Sequence, residues 1–282
     1  EDKYTVRVIL STPMSLGLTP WLVPSLAALA GYLLAMRPGE RPWRVRLLPL
    51  AWLAHGLAGV LHLFGIGEPG QGVRFGFAPA LAATAWLVIG LHALESRFVP
   101  VPGVRRWLAL SGLMTLALAM LFPGEGLRSS SPWAPLHWMM GLASYGLVAA
   151  AVLHAAWLDR AERQMRDRSR ARLEAPAGAI GLPLLTLERL TYRFVAAGFV
   201  MLTLALLLGV WFTPVWHWDH KTVFSLLGWV VLAGLMAGRQ FFGWRGRRAT
   251  RWLYAGSVLL LLAYVGSRFV LEVLLQRLPA GA

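Results

Sequence analysis

Eight apolar runs, each about 20 residues long and almost free of charge, divide the chain. They extend from Leu18 to Met36, Leu47 to Ile66, Phe75 to Leu94, Val104 to Leu121, Leu136 to Leu158, Tyr192 to Phe212, Val223 to Phe242 and Trp252 to Leu275. A helix rising about 1.5 Å per residue crosses a hydrocarbon core about 30 Å thick in about 20 residues, which is the length these runs supply. Backbone groups in lipid must find partners inside their own segment, and the alternating pattern of a membrane barrel is missing, so the runs predict helices. The expectation is an all-α, polytopic integral membrane protein with about eight transmembrane helices.

The polar stretches between the runs alternate in charge. Arg37, Arg41, Arg44 and Arg46 follow the first run; Arg97, Arg105 and Arg106 follow the third; the fifth and seventh are followed by arginine-rich segments, Arg160 to Arg172 and Arg239 to Arg251. The intervening loops balance Glu68 with Arg74, Glu125 with Arg128, and Asp219 with Lys221. Positive residues favour the cytoplasmic side, which sends every basic loop inside and both termini outside. The excess of 27 Lys and Arg over 13 Asp and Glu is therefore a topological signal and not a nucleic-acid footprint. A composition 57% hydrophobic and 14% charged, against roughly 25% charged in soluble domains, agrees.

One soluble element stands out, the cytoplasmic loop of residues 159–193. Glu162 and Arg166 are one helical turn apart there, so the fifth helix is expected to continue into the cytoplasm until Pro176 and Gly178 stop it. Residues 1–13 differ in character from the rest of the chain and are read as an over-extended N-terminus ahead of a start at Met14. With no cysteine, disulfides and thiolate metal sites within the chain are excluded. Hydrolase and kinase motifs are missing too; Arg268 and Glu272, one turn apart, can pair with each other.

The seven histidines carry more information, because ionisable groups inside a membrane are functional candidates. His92 and His154 fall at cytoplasmic helix ends, where hydrogen bonding at the interface explains them. His55 and His62 lie two turns apart on nearly the same helix face. His137, His217 and His220 fall at the outer side, near Trp216 and Trp218. Two imidazoles make a poor zinc cage without cysteines or clustered carboxylates, but they suffice as axial ligands of haem. The tryptophans can form a flat apolar shelf for a macrocycle, or simply an interfacial aromatic belt.

The segment "WHWDHKTVFSLLGW", Trp216 to Trp229, resembles the tryptophan-rich signature of the CcsA/CcmC cytochrome c assembly proteins, approximately WxWDPKExWSLxxW. Trp216, Trp218, Asp219, Lys221, Ser225, Leu226 and Trp229 coincide with it without a gap. The stretch Gly238 to Leu275 is similar to the HemX/YpjD branch of that superfamily, and the resemblance spans about Leu47 to the C-terminus. It implies a haem held at the outer face beneath the tryptophan-rich loop by histidines on flanking loops, with further histidines within the membrane. His137 resembles the first external ligand and His55 the first intramembrane histidine. The second intramembrane histidine falls at Ala237, and the second external one near Leu274 to Pro279, where there is none. His220 replaces the signature proline, Thr222 its glutamate and Phe224 a tryptophan.

The resulting expectation is a non-covalent, b-type haem whose iron is held by His137 and His220. Trp216 and Trp218 would contact the porphyrin, Asp219 and His55 would contribute to the site, and Arg74 or Arg128 would lie near the propionates. Residues 14–282 would form a single transmembrane haem-handling domain in the bacterial inner membrane, taking part in cytochrome c biogenesis as a chaperone rather than a complete synthase. Its partners would be membrane lipid and other cytochrome c maturation proteins, not nucleic acid. The alternatives are a haem-free accessory or regulatory subunit, or an ion transporter, built on the same fold.

Overall fold

Helices occupy every apolar run, in a computed structural model that describes residues 19–37, 42–66, 73–96, 104–127, 131–171, 184–212 and 218–275. They are α1 (Leu22–Ala35), α2 (Pro42–Leu63), α3 (Phe77–Glu95), α4 (Val104–Leu121), α5 (Ala134–Ala171), α6 (Leu184–Phe212), α7 (His220–Phe242) and α8 (Gly246–Leu274). From α2 to α8, seven are long and apolar enough to cross a membrane. Large apolar side chains such as Trp211, Leu121 and Leu207 stand 82%, 75% and 63% exposed on their surfaces, as lipid-facing positions require. The chain is an all-α, multi-pass membrane protein.

Three details depart from the pattern expected from sequence. The first run yields only 14 helical residues, about 21 Å, because Pro20 and Pro24 suit a helix start and not its interior. Two short strands, β1 (Val73–Phe75) and β2 (Glu125–Leu127), pair antiparallel, with Arg74 opposite Gly126. Within α8, π-helical turns at Leu262–Gly266 and Val270–Leu274 flank Ser267–Phe269. The 159–193 segment is helical at both ends, since α5 runs on to Ala171 and α6 begins at Leu184, eight residues before the apolar run. Residues 1–13 and the "GEPGQG" loop lie outside the described residues.

Local chemistry accounts for the helix ends and for the polar side chains in lipid. Asp219 caps α7, its Oδ1 accepting the Thr222 amide at 2.7 Å, and Gly243 ends it in a left-handed conformation with φ 61°. Ser25, Thr84, Thr115 and Thr203 return their hydroxyls to carbonyls one turn back, so none of them presents an unsatisfied donor to lipid.

The helices pack around two cores. One gathers Tyr32, Ala51, Ile89, Leu108 and Leu116 from α1 to α4; the other gathers Val148, Val195, Leu232, Leu253 and Leu260 from α5 to α8. The α5 helix serves both, because Leu153 and Trp157 pack against the first core. At the outer end β1 pairs with β2, and the His62 Nε2–H donates to the Pro123 carbonyl at 2.7 Å. At the basic end Tyr254 donates to Asp159 at 2.9 Å, while Glu188 meets Arg245 at 3.3 Å and Arg239 at 3.7 Å.

Candidate functional site

His137 stands one turn into α5 at the outer end, half-buried against α6. Its Nδ1 lies 2.9 Å from the Ala205 carbonyl oxygen. A carbonyl can only accept, so Nδ1 carries the proton and Nε2 carries the lone pair. Imidazoles that bind metals are oriented in this way, the second nitrogen fixed on a carbonyl or carboxylate. The Phe212 ring meets the imidazole edge-on at 5.5 Å, and Gly209 leaves it room, for a Cβ there would come within 3.1 Å of Cε1.

The second expected ligand opens α7. His220 is its first residue and is exposed, as is Trp218 at 72%. Trp216 lies outside the described residues, as do His217 and Arg128. Helices α5 and α7 both begin at the outer end, and Lys221, next to His220, lies within electrostatic reach of His137. Asp219 is occupied as the helix cap. Burial alone would raise its carboxyl, but the Thr222 hydrogen bonds and the charges of Lys221 and His220 hold it below the usual carboxylate range. Among the described residues no three His, Asp or Glu side chains cluster as a zinc cage would need. A pair of imidazoles suits haem, whose macrocycle supplies the other four positions, so the donors present fit that group.

His55 belongs elsewhere in the fold. It is 2% exposed within the first core, its Nδ1 3.0 Å from the Tyr32 hydroxyl. It lines a cavity of about 200 Å³, partly open to the exterior, together with His62, Trp21, Trp86 and Phe75. Ala237, where the resemblance led a second intramembrane histidine to be expected, is exposed on α7. The residues expected to form one site therefore fall into two places, His137 with the start of α7 and His55 in the N-terminal cavity. Nothing in the sequence singles out Tyr32 as the partner of His55, except that it is the sole hydrogen-bonding aromatic of the first run after Trp21.

The family of cytochrome C assembly proteins matches residues 47–275. This chain belongs to the cytochrome c assembly protein family. It is similar to the inner membrane protein YpjD of Escherichia coli (strain K12), at 29% identity over 261 residues, covering 89% of this chain and 94% of that protein. It is also similar to the cytochrome c biogenesis protein CcsA of Synechococcus sp. (strain CC9311), at 28% identity over 222 residues, covering 66% of this chain and 73% of that protein. The match places it in the CcsA/CcmC superfamily, on the YpjD-like branch. No solved structure matches it.

The inner-end histidine His154 of this family member has structural partners. The His154 Nδ1–H donates to the Ala150 carbonyl at 2.8 Å and its Nε2 meets Glu95 at 2.9 Å, both side chains largely buried. With acceptors on both ring nitrogens, His154 has no lone pair to give a metal. The expectation of a hydrogen-bonding role holds for it, though the site is buried and more tightly paired than an interfacial position would be.

Proposed function

We propose that this protein binds haem at the outer end of its helix bundle, in the bacterial inner membrane, and hands it on during cytochrome c biogenesis. His137, through Nε2, and His220 would hold the haem iron, with Trp218 and Trp216 in contact with the porphyrin. When bound, haem would supply an iron that accepts imidazole nitrogen. The chain's own contribution is to fix the His137 tautomer on Ala205, to anchor the start of α7 through the Asp219 cap, and to shield the site with apolar side chains. His55 would serve as an intramembrane contact for the same class of ligand. A handling or chaperone role suits a chain with half the family's histidines, and it implies other maturation proteins as partners.

The observation carrying this reading is the His137 imidazole, held by Nδ1 on a carbonyl with Nε2 left to coordinate. The test is the absorption spectrum of the purified protein, oxidised and reduced. A Soret band that disappears in the His137→Ala/His220→Ala double variant supports the assignment, and an unchanged haem content in that variant refutes it. A haem-free accessory role has one observation in its favour, the internal pairing of His154 with Glu95. It predicts that His137→Ala alters stability alone.

A further inference from the structure

The cavity around His55 has a chemistry of its own. It holds about 200 Å³ between α1, α2, α3 and α4, with walls of alkyl and aromatic carbon such as Leu116, Met120, Pro79 and the Trp86 indole. An apolar cavity of about 150 Å³ takes up one benzene ring, so this one is sized for a single substituted ring and not for a macrocycle of four. Gly59 and Val60 form part of its wall and are exposed on α2, about one turn from the outer end of that helix, and a Cβ on Gly59 would meet nothing within 4 Å. The cavity therefore opens onto the lipid-facing side of α2, and a molecule entering there is one already dissolved in the membrane.

The imidazole offers this cavity a donor. Tyr32 is fully buried, and its hydroxyl has the His55 Nδ1, at 3.0 Å, as its hydrogen-bond partner among the described residues. The hydroxyl must donate there, because accepting would strand its own proton in an apolar core. Nδ1 then carries the lone pair and the neutral imidazole keeps its proton on Nε2, the reverse of His137. Tyr32 is not part of the cavity wall, so His55 turns its Nε2 edge to the open space, where Nε2 has no protein acceptor among the described residues. Ser25, Trp86 and the Nε2 of His62, which also line the cavity, already donate to the carbonyls of Trp21, Trp52 and Pro123. An N–H held in apolar surroundings selects an acceptor oxygen, and an imidazole in this tautomer turns no lone pair toward the cavity for a metal.

We infer that this cavity binds a lipid-soluble molecule of the quinone class, a single substituted ring whose carbonyl oxygen accepts the His55 Nε2–H. Tyr32 is the positioning residue that fixes the tautomer. The site is separate from the one at His137 and does not rest on the haem reading; within this cavity the ring takes the place of the haem contact considered for His55.

The test uses duroquinone and durene, the same tetramethyl ring with and without its two carbonyl oxygens, added to the purified full chain in detergent and read from the rise of Tm with ligand concentration. Partition of the probes into detergent is common to all variants, so the quantity compared is the ratio of the two affinities. That ratio should favour duroquinone about threefold to tenfold more in wild type than in His55→Leu, the size expected of one net hydrogen bond. Tyr32→Phe, which frees the tautomer, should reduce it. Gly59→Leu, at an exposed position with open space around its Cβ, should fold as wild type does and weaken both ligands together by closing the mouth. An equal ratio in wild type and His55→Leu overturns the assignment of the donor. Wild type that binds neither probe, or Gly59→Leu that binds both unchanged, overturns the site without any His55 variant having to fold. Haemin that displaces duroquinone in direct competition gives the cavity to the macrocycle and overturns the inference as well, whereas duroquinone binding that persists in His137→Ala/His220→Ala while the Soret band is lost supports two separate sites.

Discussion

Substituting alanine for Gly56 should destabilise this protein more than its single added methyl suggests. Trp52 on α2 and Trp86 on α3 lie face to face, with ring centroids 4.9 Å apart and planes 5° from parallel. Each indole N–H donates to the other residue's backbone carbonyl, Trp52 to Trp86 at 2.8 Å and Trp86 to Trp52 at 3.0 Å. One turn after each tryptophan a glycine forms the floor beneath its partner. A Cβ on Gly56 would stand 2.6 Å from the Trp86 Nε1, and one on Gly90 would stand 3.0 Å from the Trp52 ring. The Trp86 ring cannot retreat from Gly56 without breaking its own hydrogen bond and the stack. Overpacking costs about 1–3 kcal/mol and a lost hydrogen bond about 1 kcal/mol, giving about 2–4 kcal/mol for Gly56→Ala and roughly half for Gly90→Ala. At about 2–4 °C per kcal/mol for a chain of this size, Tm should fall by roughly 5–15 °C. The assay is thermal unfolding of the detergent-solubilised protein followed by near-UV circular dichroism, whose signal from the stacked indoles should weaken at the same time. A Gly56→Ala variant melting with the wild type would refute the packing argument, and a larger effect at Gly90 would refute the ranking.

Three other outcomes rest on contacts of the helix ends and the buried pairs. Asp219→Ala should cost about 0.5–2 kcal/mol through loss of the α7 cap, while Asp219→Asn should cost little, both read from unfolding midpoints. Because the folded carboxyl titrates below the free one, the charged cap contributes fully above about pH 4 and fades as pH falls through the folded value; the Asn variant should lack that acid sensitivity. Glu95→Ala should cost about 3–5 kcal/mol by stranding His154, and adding His154→Ala should recover part of it in a double-mutant cycle; no recovery would mean the pair is not coupled. Tyr145→Phe should leave the Leu260 carbonyl without its donor, costing about 1–3 kcal/mol, with faster hydrogen exchange in the adjoining π turn as the specific readout.

The helices were legible because lipid imposes one rule on every residue it touches, and apolar runs of sufficient length obey it. Where expectation and structure part, the cause is a contact with no local trace, or a residue whose weight hydropathy ignores. The first run counts as a full span by hydropathy, but prolines at 20 and 24 set where its helix begins. The pairing of Val73 with Leu127 joins segments more than fifty positions apart, and the Tyr145 hydroxyl reaches the Leu260 carbonyl, beside the first π turn of α8, from over a hundred positions away. At the candidate site, His137 was recognisable from its motif, whereas its fixed tautomer needed Ala205 from another helix. His55 was recognisable as an intramembrane histidine; its separation from His137 required the three-dimensional arrangement. Arg268 and Glu272 were expected to pair, and they do so at 4.0 Å.

Two cores joined through one long helix make this chain modular in a practical sense. The cavity around His55 and the histidine-bearing surface at the start of α7 belong to different modules, each with its own packing, and α5 is their common spine. A substitution in one half can therefore alter its own packing without the other half having to be rebuilt.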